Sequence, residues 1–510
     1  QAKWTNAMAD TNGGLASHLL ADISGLGTSL ACNRKLAGRP TCHRLSCGRS
    51  RKCAVVQAVL LVVCLGACLL LTAAYATLGP ADGRPPGPDW FDVRVVKALG
   101  TRAYDQVRIS LISGSGTPPV PGFYDFSARF RYKWRQFFLH TALKAVTPGA
   151  RTWLDVGVNL SVRLPLQGAG VAGVIIGDPC VNSPTGKGWM PCEYGDRFRT
   201  LERIPALVNA FVGDSDTDFW GTTGDNLYDR TGDITADFFS RISMDVKSKL
   251  FFTVPGNHDY WTYGFPVAAN TADQCGYGFA QYYLQDTKAA EAVHRSSRAT
   301  PFDLSVDPDD RPLGLFGCNL PAISNFFWYH QVGNVGLVGQ SGAYSLKATR
   351  PYMAEACAWL SQQEGLEVGV LIGHWDRPGS GASPEMAVPD WYAEMMALPG
   401  CAELHSRGML KFVMGHTHCN NPHPNSHGAG FRIASFGMHG CGNFGVPVLD
   451  TTERRVRLWY FDASSDELYA TLMGCLQRRG GWRRCTGLAR LWLDQEIVPA
   501  RRLPEPPGAK

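Results

Sequence analysis

Charge is sparse in this 510-residue chain: 18% of its residues are Asp, Glu, Lys or Arg, against 45% apolar, where about 25% charged is usual. That balance excludes general disorder, which needs few apolar residues and many charges. No internal repeat is found, so repeat architectures are set aside. With 56 Gly and 32 Pro, the composition points to many turns and long loops rather than long helices. Long apolar runs are scarce as well, and one stands out. Across residues 54–78 the only strongly polar side chain is Gln57.

Nineteen residues of that run, 58–76, are enough to cross a bilayer as a helix. Residues 1–52 hold eight Lys or Arg against Asp10 and Asp22, a net +6, which leaves the rest of the chain at −1 of the total +5. Basic charge gathered beside an apolar segment reads as a positive-inside anchor, and argues against a nucleic-acid partner. The expectation is a basic cytosolic tail (1–52), a transmembrane signal-anchor (53–78) and a single-pass membrane protein whose catalytic part is lumenal or extracellular. Secretion after cleavage near Ala74-Tyr75-Ala76 is the alternative, but a signal peptide has a shorter apolar stretch and a shorter basic flank.

Ten of the sixteen cysteines lie beyond the apolar run, an even number that fits disulfides. Cys180 with Cys192 and Cys475 with Cys485 are the short-range pairings. Cys47 and Cys53 are candidates for palmitoylation, and Asn159-Leu160-Ser161 for glycosylation.

Residues 79–89 read as a Pro/Gly-rich stalk that opens a β-rich lobe extending to 167, with strands at 107–112, 126–130 and 156–164. From Gly173 onward, short apolar runs empty into Gly-Asp, Gly-Asn or Gly-His: 174–176, 250–254, 368–372 and 410–414. Helical stretches at 200–211 and 353–363 fall between some of them, which predicts a layered α/β domain over 168–473. A last strand pair is expected at 455–462 and 467–473, joined by Ala463-Ser464-Ser465-Asp466. Residues 474–510, with eight basic side chains and three acidic, read as a basic C-terminal extension.

Five motifs close these runs: Gly177-Asp178-Pro179-Cys180, Gly224-Asp225-Asn226-Leu227-Tyr228, Gly256-Asn257-His258-Asp259, Gly373-His374-Trp375-Asp376 and Gly415-His416-Thr417-His418. Asp, Asn, His and Tyr are the oxygen and nitrogen donors that hard and borderline metal ions accept. Each motif alone is a common turn, as Gly213-Asp214 and Gly232-Asp233 show. Order and spacing carry the signal, because strand ends can bring separate ligands to one sheet edge.

This order resembles the calcineurin-like metallophosphoesterase superfamily over roughly 173–473, and within it the purple acid phosphatases. Most members of the superfamily have a histidine where Cys180 stands. The purple branch lacks it and has a tyrosine three residues after the bridging aspartate, where Tyr228 falls. The resemblance implies an α/β four-layer α/β/β/α sandwich of two mixed sheets. It implies that Asp178, Tyr228 and His418 bind one metal, that Asn257, His374 and His416 bind the second, and that Asp225 bridges both. Fe3+ is expected at the Tyr228 site and Fe2+, Zn2+ or Mn2+ at the other. His416 and His418 reach one cluster if the backbone between them is extended. Cys180 is either in a disulfide or a thiolate donor.

The chemistry expected is hydrolysis of a small phosphate monoester by metal-activated hydroxide, with His258 protonating the leaving group and Asp259 orienting it. Asn226, His258 and Trp375 are the substrate-contacting candidates, Trp375 at the pocket mouth; His423, His427 and His439 are weaker ones. A phosphodiesterase on nucleotides or lipid head groups would use the same donors, and a non-catalytic metal-binding surface receptor would keep the scaffold without the reaction. A serine/threonine protein phosphatase fits less well, for want of the first-motif histidine.

Overall fold

The computed structural model describes residues 91–99, 104–113, 120, 123–126, 138–181, 199–229, 233–259, 279, 283, 286–288, 312–313, 318–319, 323–377, 387–434 and 441–499. In chain order the elements start with β1 (Phe91–Lys97), β2 (Gln106–Ser113), β3 (Tyr124–Phe126), β4 (Phe138–Ala145), β5 (Arg151–Asp155), β6 (Asn159–Arg163) and β7 (Ala172–Ile176). There follow α1 (Thr200–Val212), β8 (Phe219–Thr222), α2 (Asp233–Ser240), α3 (Met244–Lys247), β9 (Leu250–Thr253), β10 (Pro312–Leu313) and β11 (Cys318–Asn319). The next are β12 (Trp328–Val332), β13 (Val335–Gly339), α4 (Leu346–Leu360), β14 (Val368–Gly373), α5 (Val388–Ala397), α6 (Cys401–Ser406) and β15 (Leu410–Met414). The chain closes with β16 (Asn420–Pro422), β17 (Gly430–Ile433), β18 (Gly445–Asp450), β19 (Arg455–Asp462), α7 (Asp466–Arg479) and β20 (Ala489–Glu496).

Two mixed sheets hold most of these strands. The first runs β20-β19-β18-β7-β8-β9-β1-β2-β4-β3 and the second β12-β13-β14-β15-β17-β16. At their centres β7, β8 and β9 are parallel, as are β13, β14, β15 and β17. All residues of β7, β8, β9, β14 and β15 are buried, the signature of parallel strands covered on both faces. Helix α1 packs on β7, and α5 and α6 pack on β14 and β15. The sheets meet through aromatic side chains: Trp328 packs 5.8 Å from Phe252 and donates its indole N–H to the Thr253 carbonyl at 2.9 Å.

The N-terminal strands do not form a lobe of their own. Val95 of β1 pairs in parallel with Leu250 of β9, so β1, β2, β4 and β3 lengthen the first sheet. Buried ion pairs fasten them: Lys247 of α3 to Asp92 at 2.9 Å, and Arg108 to Asp286 at 2.9 Å. The strand expected at 156–164 is β6 (Asn159–Arg163), shortened at its start because Gly157, at φ 87°, turns the chain out of β5. The C-terminal pattern is also corrected. The segment after β19 is helix α7, whose Ser465 cap accepts from Leu468 N, and β20 takes the strand position beside β19.

The membrane-spanning helix, and the single-pass localisation built on it, are not supported. Among the described residues no helix is long and apolar enough to cross a membrane. The segment expected to do so, 53–78, lies outside the described residues, as do the tail 1–52, the cleavage site, Cys47 and Cys53.

Disulfides Cys357–Cys401, Cys419–Cys441 and Cys475–Cys485 are formed. The last was expected, and it clips α7 to the turn before β20. Cys180 is disulfide-bonded too, which removes it as a thiolate donor.

Candidate metal centre

Each parallel strand ends at the same edge of its sheet, and there the five motifs meet. Asp178 follows β7, Asp225 follows β8, Asn257 opens a short 3-10 turn after β9, His374 follows β14 and His416 follows β15. Thr223 sews the sheets together at this edge. Its hydroxyl donates to the Ile433 carbonyl at 2.8 Å, and its own carbonyl lies 2.9 Å from His374 Nδ1. Glycine is required beside these residues for close approach as well as for turning. A Cβ on Gly256 would stand 2.2 Å from Asp225 Oδ1, and one on Gly224 (φ 96°) 2.7 Å from His374 Nδ1.

The candidate donors form two groups with one shared member. Asp225, His374 and His416 have ligand atoms within 4.8 Å of one another, and so do Asp178, Asp225 and His418. Asn257 Oδ1 joins the first group, 3.1 Å from His374 Nε2 and 2.9 Å from His416 Nδ1. The Tyr228 hydroxyl joins the second, donating to Asp178 Oδ1 at 3.1 Å and lying 3.2 Å from His418 Nε2. His416 and His418 reach the cluster from a left-handed backbone, φ 68° and 51°, not from an extended one.

Electrostatics follow from two buried carboxylates. Burial opposes charge on Asp225, but facing His374 and His258 hold its carboxyl far below the usual range. Burial likewise opposes charge on His374, and Asp225 and Asp178 outweigh it, raising the imidazole to about 9. His418 is raised against burial by its hydrogen bond to Asp178, while burial and the His374 charge push His416 down to about 3. Burial and the Asp178 and Asp225 charges put the Tyr228 phenol well above 10. The set calls for positive charge, supplied either by protons on the histidines or by cations at the same atoms. A carbonyl can only accept, so His374 Nδ1 carries a proton, which leaves Nε2 as the atom that can give its lone pair to a cation once its own proton is displaced. Oxygen and nitrogen donors, a shared carboxylate and a fixed histidine tautomer together fit two metal ions.

The other predicted residues are placed differently. Asn226 spends its amide on the protein, Nδ2 donating to Asp259 Oδ2 (3.0 Å) and to the Val254 carbonyl (3.1 Å) while Oδ1 accepts from the Thr222 and Thr253 hydroxyls. Asp259 accepts from Gly256 N at 2.7 Å and from Asn226, so it braces the loop. Burial and the Asp225 charge push it up to about 8. The carboxylate nearest the His258 ring is instead Asp225, whose Oδ2 is 3.9 Å from Nε2 and whose Oδ1 accepts the His258 backbone N–H at 2.8 Å. Trp375 is fully buried, edge-on to His374 at 5.3 Å, rather than at a pocket mouth. His423 is half-buried, His427 is exposed and His439 lies outside the described residues. Thr223 and Asp376, which sequence reasoning passed over, both face candidate donors. Neither carries a spacing signal, since each acts through a fold contact.

No protein-family model matches the chain, and no curated protein matches it. Among solved structures it is similar to a dimetal phosphatase from Danio rerio, with 11% identity and a TM-score of 0.32 over 58% of this chain and 96% of that one. It is also similar to a single mutant of Vps29 from Entamoeba histolytica, with 11% identity and a TM-score of 0.24 over 64% and 99%. Overlaps this loose carry no argument about activity.

Proposed function

We propose that the chain is a dinuclear metal-dependent phosphatase hydrolysing small phosphate monoesters, purple acid phosphatase-like in its donor set. One observation carries the reading: the buried carboxylate of Asp225 is common to both groups of candidate donors. In this reading Asp178, Tyr228 and His418 hold Fe3+, while Asn257, His374 and His416 hold Fe2+, Zn2+ or Mn2+. Two cations held there supply Lewis acidity, drawing charge from a phosphoryl group and making water nucleophilic near neutral pH.

The chain's own residues do the rest. Asp225 keeps the two donor groups in register through its contacts to His374 and the His258 backbone. The His258 side chain is 13% exposed and its ring lies 4.8 Å from that of Tyr228, so it stands beside the cluster, within reach of a leaving oxygen there. It donates the proton that a departing alkoxide needs.

Tyr228 bears on the choice of ion. Deprotonating even an ordinary phenol at pH 6 costs about 5 kcal/mol, and burial adds to that. A strongly acidic cation such as Fe3+ offsets this cost more readily than a divalent one. The purified protein is therefore expected to be coloured by phenolate-to-iron charge transfer, with iron by metal analysis and with no visible band in Tyr228→Phe. A colourless and fully active zinc or manganese protein would sink the iron assignment. Assays on monoesters against diesters of the same alcohol test the substrate class.

A further inference from the structure

Asp376 ends the fourth motif but belongs to neither donor group. Its Oδ1 atom is buried without a hydrogen-bond partner, although the side chain as a whole is 20% exposed. Such an unpaired buried acceptor is costly and calls for an explanation. The group facing it is His416 Nε2, at 3.9 Å. The opposite nitrogen of that ring, Nδ1, points inward, 2.9 Å from Asn257 Oδ1 and 3.2 Å from His374 Nε2. One imidazole is thus divided between the cluster and a carboxylate. His374 is divided in the same way, with the Thr223 carbonyl in the outer position.

A neutral imidazole has one N–H and one lone pair. To give the Nδ1 lone pair to a cation, His416 must keep its proton on Nε2, and its ring angle must be held. We propose that Asp376 is a positioning residue that accepts the Nε2–H of His416 and so holds Nδ1 ready for a metal ion. Closing the gap to hydrogen-bond length takes about 1 Å, within the reach of a small side-chain rotation. Carboxylate partners of this kind strengthen a histidine ligand by raising its basicity and fixing its orientation. The inference rests on the metal reading above and extends it to a residue outside the ligand set.

The test is a Zn2+ titration of the full chain against a chromophoric chelator. The wild type, freed of metal beforehand, is expected to bind two ions, the more weakly held one at the Tyr228 group. Asp376→Leu should lose about 10- to 100-fold in affinity for one ion and nothing for the other. Asp376→Asn, which keeps an acceptor oxygen, should lose less. The double variant Asp376→Leu/His416→Ala should bind no more weakly than His416→Ala alone, because the effect passes through His416. Unchanged two-ion binding in Asp376→Leu, or additive losses in the double variant, would overturn the proposal. Should Asp376→Leu fail to fold, Asp376→Asn with His416→Ala completes the same cycle. A wild type that binds no Zn2+ defeats the metal reading itself, a result distinct from a failure of Asp376.

Discussion

Asp178, Asp225, Tyr228, His416 and His418 all sit at φ between 48° and 68°, in the left-handed region that side chains other than glycine rarely adopt. Each such residue costs on the order of 1 kcal/mol or more and persists only where its surroundings force it. Five of the seven candidate donors share this strain, which plain turns between strands would not need. His258, beside the cluster, sets the expected pH response. Burial holds its imidazolium below the ordinary range, with Asp225 working in the other direction. A proton donor of lowered pKa is filled only in acid, so turnover should rise as pH falls below about 6.5 and decline above it. His258→Ala should cut kcat by about 10²- to 10⁴-fold and flatten that profile with both ions still bound. Loss of metal from this variant would refute the role. Asp178, Asp225, Asn257, His374 and His416 are legible as candidates because each follows an apolar run and a glycine, and His418 by its His-x-His spacing; Tyr228 comes only with the family resemblance. The parts played by Asn226, Asp259 and Trp375 are not legible, because a side chain's partners depend on which strand ends meet.

Elements divide along similar lines. The central strands could be read as continuous apolar runs, because parallel strands buried on both faces need no polar alternation. Residues 467–473 of α7 suit a strand by pattern, since Leu468, Tyr469, Thr471 and Met473 fit a sheet and follow β19 after a short turn. Signals for helix were present: Ser465 as cap, Asp466 and Glu467 in the first turn, Arg478 and Arg479 in the last, and Leu472, Cys475 and Leu476 on one buried face. Ser465→Ala removes the acceptor for Leu468 N and should destabilise the fold by about 1 kcal/mol, read in a denaturant titration; no change would mean that other first-turn contacts, such as the Arg203–Asp466 ion pair, hold the helix start. β20 was hidden by counting charge, since its arginine and acids project to water or pair across the strand, as Asp494 does with Arg455.

At the scale of the molecule, stability in acid follows from His330. It is buried where β12 packs on β1, stacked on Trp328 at 5.0 Å, and neither ring nitrogen has a hydrogen-bond partner. Burial, and then the charge of Lys97, hold it down to about 3. Between that value and the unfolded pKa of about 6.5 the unfolded chain binds the extra proton, so stability is intact above the range and lost as pH falls through it. The loss approaches about 1.4 kcal/mol per pH unit. His330→Phe keeps the stacked ring and should flatten the fall in Tm between neutral and acid pH; an unchanged slope would place the acid sensitivity elsewhere.

Cys419 follows His418 directly, and its disulfide partner Cys441 is exposed, donating its backbone N–H to the His418 carbonyl at 3.2 Å. A dithiol reductant that exchanges with this bond becomes a cyclic disulfide and leaves two cysteine thiols, a two-electron transfer with no residue lost. Without the bond, that N–H and the Asn420–Asn443 pair still tie the loop beside His418 to the segment that carries Cys441. In the proposed metal reading, this covalent staple beside His418 makes the grip on an ion depend on the thiol balance around it.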